Sequence, residues 1–74
     1  ISYKLGKSEF VNSSVFDLNG NLVKNILNHK ADAGRGYVEW DGKNEQGQKV
    51  SGGIYLYVIE TPSFLKSKKM LFLK

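Results

Sequence analysis

Cysteine is absent from the 74 residues; methionine, tryptophan and histidine occur once each, and Pro62 is the only proline. The lack of cysteine excludes disulfides, thiolate metal sites and a cysteine nucleophile. It does not fix the compartment, because many exported bacterial domains also lack cysteine. The single histidine, His29, lies in a polar stretch between Asn28 and Lys30. Ser13 and Ser14 have no base beside them and no nucleophile-elbow pattern occurs, so no triad-type site is expected and the chain reads as non-enzymatic. No apolar run approaches the roughly 18 residues of a membrane helix. Alanine occurs only at positions 31 and 33, and helical periodicity is hard to find. The chain begins at Ile1, not Met, with no signal peptide, which predicts a module cut from a longer precursor.

Apolar residues make up 41% of the chain, enough for one small core, so a single domain over residues 1–74 is expected. The formal charge of +4 is unevenly spread. Up to residue 63, seven basic residues balance seven acidic ones, and the whole excess is Lys66, Lys68, Lys69 and Lys74. A neutral body lacks the basic groove that nucleic-acid backbones require, so no nucleic-acid partner is expected. The stretch from Arg35 to Trp40 begins like an RNA-recognition signature, but Glu39 stands where an aromatic would stack a base.

Metal-ligand patterns also fail. Asp17-Leu18-Asn19-Gly20-Asn21 opens like a calcium loop, but its glycine is fourth instead of sixth and no acidic residue closes it. From Asp41 to Gly47, Lys43 occupies a ligand position. No metal and no cofactor are expected. Asn12-Ser13-Ser14 has the form of a glycosylation sequon inside a predicted strand. The nine aromatics offer a sugar platform in principle, but most fall at core phases, leaving Tyr37 and one of Tyr55 or Tyr57 expected at the surface.

What is present is β pattern. Short bursts of Val, Ile, Tyr and Phe are separated by Gly, Asn, Ser and Asp. Strands are predicted over residues 1–5, 10–18, 21–27, 36–41, 54–60 and 64–74, with a brief pairing near Lys49 and Val50. In the second, Val11, Ser13 and Val15 form the inward face, with Phe10 and Phe16 opposite. Asn19-Gly20 predicts a hairpin with a type I′ turn. Residues 28–34 read as a polar loop. Residues 54–60 are apolar on both faces, which predicts a central strand covered on both sides. Six to seven antiparallel strands without a helix give an all-β, compact β-sandwich, with a five-stranded oligonucleotide-binding-type barrel as the rival.

The order Val15-Phe16-Asp17-Leu18-Asn19-Gly20, then Gly34 with Val38-Glu39-Trp40-Asp41-Gly42, then Gly47 with Gly53-Ile54-Tyr55, then Lys68-Lys69-Met70-Leu71-Phe72-Leu73-Lys74, resembles the type A C-terminal sorting domain of the type IX secretion system. That domain is similar to the Ig-like domain of flagellar hook-capping proteins. Ser13 departs from the pattern, since the family usually has an aliphatic residue there, and the Pro-rich lead-in is missing. The resemblance implies an Ig-like sandwich, with Asn19, Gly20, Gly34, Trp40, Asp41, Gly42, Gly47, Gly53 and Tyr55 as its structural motif. It implies a non-catalytic address fused behind an N-terminal cargo domain. The outer-membrane secretion machinery would read it, and a sortase-like peptidase would remove it. The cargo would cross the periplasm to be secreted or held at the cell surface. Residues Lys68 to Lys74 would carry the recognition motif, as an extended segment suited to adding to a receptor sheet. Alternative readings are an Ig-like structural module of a hook-capping or cell-surface protein, and an accessory carbohydrate-binding module.

Overall fold

The computed structural model describes residues 2–73; Ile1, expected in the first strand, and Lys74, the last residue of the terminal motif, lie outside the described residues. Six strands are formed, and no helix among the described residues: β1 (Ser2–Leu5), β2 (Glu9–Phe16), β3 (Leu22–Ala31), β4 (Gly34–Tyr37), β5 (Gly53–Glu60) and β6 (Leu65–Phe72). They make two antiparallel sheets, β1-β4 and β3-β2-β5-β6. The fold is an Ig-like β-sandwich.

Alternation in β2 decides what faces the second sheet. Val11, Ser13 and Val15 are fully buried, and Phe10 on the other parity is half exposed. Opposite them in β5, Ile59 pairs with Ser13 and Tyr57 with Val15. The aliphatic end of the core gathers Leu5, Val11, Val38 and Ile59, with Tyr3, Ile26, Leu27, Ala31 and Phe64 packed against it. The other end is aromatic: Trp40 and Tyr55 meet edge to face at 5.0 Å, and Phe72 lies 5.1 Å from Trp40.

Four expectations are corrected. First, residues 28–31 are strand instead of loop. Asn28, His29 and Lys30 pair with Asn12, Val11 and Phe10 while their side chains face solvent. An edge strand is held by its backbone ladder, so polar residues do not end it. Two bulges leave Val23 and Ile26 unopposed, and the second allows the consecutive Ile26 and Leu27 both to reach the core.

Second, the hairpin at Asn19-Gly20 forms without a type I′ turn. Only Gly20 has positive φ there, at 85°. The Gly20 N–H donates to the Asp17 carbonyl at 3.1 Å, and the Asp17 N–H to the Asn21 carbonyl at 3.0 Å. This is a three-residue loop with its last residue left-handed. Asp17 imposes it, because its Oδ1 accepts the N–H groups of Asn19 and Asn21, both at 2.9 Å.

Third, the fourth strand runs over Gly34–Tyr37 instead of residues 36–41. Val38 leaves the ladder yet stays 5% exposed, and Trp40 sits in the loop beyond. Fourth, β5 is central but unequally covered. Tyr55 and Ile59 are buried on the face toward the two-stranded sheet, whereas on the other face Ile54 is 46% exposed and Leu56 and Val58 are only half-buried. Lys49 does pair briefly, in an isolated bridge with Lys43.

Candidate functional site

The terminal strand β6 has one neighbour, β5, and so forms an edge of the larger sheet. Its register sets Met70 opposite Tyr55, Phe72 opposite Gly53, Lys68 opposite Tyr57 and Leu71 opposite Ile54. Since Tyr55 is buried and Ile54 exposed, the parity of β6 divides the predicted motif in two. Met70 and Phe72 are half-buried on the inner face. Leu71 is 66% exposed on the outer face, and Leu73, just beyond the strand, is 76% exposed. Lys68 and Lys69 are exposed as well, each on a different face.

The loop from Asp41 to Val50 is built around the anchored half. The Trp40 indole N–H donates to the Lys43 carbonyl at 2.9 Å, and Asp41 Oδ1 accepts the Lys43 N–H at 3.0 Å. Gly42 takes φ of 77° and accepts the Val50 N–H at 3.0 Å, while the Phe72 ring occupies the space where a Gly42 side chain would stand. At the loop's tip, Gly47 also has φ of 77°, and Asn44 Oδ1 accepts the N–H groups of Gln46 and Gln48, both at 3.0 Å. The Tyr55 hydroxyl donates to the Ser51 carbonyl at 2.6 Å. Thus Trp40, Asp41, Gly42, Tyr55 and Gly53, distant in sequence, meet the Phe72 end of β6. Gly34 lies elsewhere, at the start of β4. Asn19 and Gly20 stay in the β2–β3 hairpin, whose Asp17 shares a cavity of about 380 Å³ with Asn44, Glu45, Val50 and Tyr55.

Glu45 seals the opposite sheet edge. Its Oε1 accepts the Asn25 N–H of β3 at 2.5 Å, and Asn25 Nδ2 donates across the bulge to Asn12 Oδ1 at 2.6 Å and Ser14 Oγ at 2.9 Å. Glu9, buried in β2, accepts a hydrogen bond from the Ser63 hydroxyl before β6. Neither contact has a local sequence signal, since each joins residues 20 or more apart. Neither the Lys68 nor the Lys69 side chain makes a hydrogen bond or ion pair among the described residues.

The other candidates separate. His29 is exposed, with Nδ1 2.9 Å from the Lys30 carbonyl. Ser13 is buried with its hydroxyl unpartnered, away from any base. No group of three His, Cys, Asp or Glu that could hold a metal occurs among the described residues. Of the aromatics, Tyr37 is 70% exposed, but neither Tyr55 nor Tyr57 joins it at the surface, which corrects that expectation. Burial raises the Tyr57 phenol pKa above its ordinary 10.0, opposed by a backbone hydrogen bond from Trp40 and reinforced by the Glu39 charge. No helix among the described residues is long and apolar enough to cross a membrane.

A family model described as the FlgD Ig-like domain matches residues 4–63. The match ends just before β6. No curated protein and no solved structure matches the chain.

Proposed function

The chain belongs to the FlgD Ig-like domain family, and from that premise we propose that it serves as a C-terminal sorting domain, with β6 as the strand that outer-membrane secretion machinery reads. The family is one of structural Ig-like modules. The more specific reading rests on one observation. β6 is held at the sheet edge by Met70 and Phe72, while Lys68, Lys69, Leu71 and Leu73 remain uncovered. An edge strand offers unpaired backbone groups to an incoming strand, and its exposed side chains supply selectivity. In this reading an N-terminal cargo domain is carried to the cell surface or secreted, a sortase-like peptidase removes the domain, and no residue performs catalysis.

The test is a fusion of residues 1–74 to a periplasmic reporter in a bacterium with type IX machinery. Truncation at residue 67 is too blunt, because it removes Phe72 from the aromatic cluster and harms folding. The informative variant is Leu71→Ser with Leu73→Ser and Lys69→Gln, which leaves Met70 and Phe72 in place. Surface delivery by the parent and its loss in a folded variant supports the reading, and equal delivery by both sinks it. A structural spacer in a hook-capping or cell-surface protein is the second reading. It is favoured by a family match that does not reach β6. Failure of the parent fusion to deliver any reporter would select it.

A further inference from the structure

Lys4 and Arg35 stand directly opposite one another across the β1–β4 pair. Like charges facing each other at that spacing repel. Lys66 belongs to β6, in the other sheet, yet it lines the same cavity as Lys4 and Arg35, together with Ser2 and Tyr3. Among the described residues no acidic side chain lines this cavity. None of the three cations makes a hydrogen bond or an ion pair among the described residues. Three strands from two sheets therefore bring three cations, with all their donors unused, to one concavity without a counter-charge.

We propose that this cavity binds a small oxyanion of the phosphate or carboxylate class. The Arg35 guanidinium offers the planar two-donor fork that matches such a group, and Lys4 and Lys66 add point charges from separate strands. The bound anion removes the repulsion that the β1–β4 register imposes. The cavity measures about 260 Å³. With about 30 Å³ per water in the liquid, that admits one tetrahedral oxyanion and several waters. Tyr3 forms a wall because β4 has glycine opposite it. A methyl on Gly36 would lie 2.5 Å from the Tyr3 hydroxyl oxygen. The site is independent of the sorting reading, since the family match covers Lys4 and Arg35 but assigns them nothing.

The test is an NMR amide titration with sodium phosphate, sodium succinate and, at matched ionic strength, sodium chloride. The expected result is saturable movement of the Tyr3, Lys4, Arg35, Gly36 and Lys66 amides, roughly millimolar in midpoint, with an oxyanion and not with chloride. Saturation by phosphate alone or succinate alone assigns the class. Arg35→Gln and Lys66→Gln should each weaken binding at least tenfold, while Lys7→Gln, outside the cavity, should not. In oxyanion-free, low-salt buffer, Lys4→Gln should raise the melting temperature and abolish its further rise on adding the anion. Chloride shifts equal to those of both oxyanions, or unchanged binding in a well-dispersed Lys66→Gln spectrum, would overturn the proposal.

Discussion

Phe72, the last residue of β6, packs its ring against Gly42: a methyl group on Gly42 would approach ring Cε1 to 2.8 Å. The contact joins the terminal motif to the Trp-Asp-Gly loop 30 residues earlier. It makes the end of β6 part of the sandwich instead of a free tail.

Gly42→Ala should therefore be among the most damaging single-methyl changes. Its φ of 77° lies in the left-handed region, at a cost of about 1–2 kcal/mol for a residue with a Cβ. Displacing the ring adds roughly 1–3 kcal/mol. Gly20→Ala is the control, because φ is 85° but the space is open, so only the backbone cost applies. Urea unfolding of the two variants should show the larger drop for Gly42→Ala. Equal drops would show that the ring moves aside freely.

Ser13 breaks the aliphatic inward face of β2, and its hydroxyl is buried without a partner. An unpaired buried polar group costs about 1–3 kcal/mol. Ser13→Ala should raise stability by roughly 1 kcal/mol, since the cavity it leaves offsets part of the gain. Ser13→Val restores the aliphatic character of the neighbouring Val11 and Val15, and exceeds Ser13→Ala only if the core has room for two more carbons. Thermal melts of the three proteins decide it.

Much of this architecture was legible locally. The period-two pattern of Val11, Ser13 and Val15 identified the inward face, because one-sided burial writes itself as alternation. Residues 28–31 read as a loop because an edge strand buries little, so nothing in its side chains marks it. The Asn-Gly pair alone points to a type I′ turn, but the Asp17 carboxylate, outside that pair, chooses the turn. The proximity of Phe72 to Gly42 has no local signature, nor does the cavity of Lys4, Arg35 and Lys66. Counting charge along the chain made the body neutral, but the acids that balance Lys4 and Arg35 do not line their cavity.

The raised Tyr57 pKa gives a signed pH dependence. Burial favours the neutral phenol in the folded state, so its pKa exceeds the 10.0 of the unfolded chain. Below pH 10 both states hold the proton and stability is unaffected. As pH rises above 10, the unfolded chain releases the proton first, and stability falls until the folded phenol titrates too. Tyr57→Phe should flatten that part of the decline without altering stability at pH 7 by more than about 1 kcal/mol. Alkaline denaturation curves for both proteins would check this.

The parity of β6 predicts opposite outcomes for adjacent residues. Phe72 contacts Trp40 and Tyr55 and fills the space over Gly42, so Phe72→Ala should cost about 2–3 kcal/mol, somewhat below a fully buried phenylalanine. Leu71, one residue away, faces solvent opposite Ile54, and Leu71→Ala should change stability by no more than about 0.5 kcal/mol. Urea unfolding measures both, and the same two variants can be placed in the surface-delivery fusion. A secretion defect in Leu71→Ala at unchanged stability would assign the outer side chains to recognition. Delivery that falls in Phe72→Ala but holds in Leu71→Ala would instead show that β6 acts only through the packing of Met70 and Phe72, while under the spacer reading neither the parent nor either variant delivers the reporter.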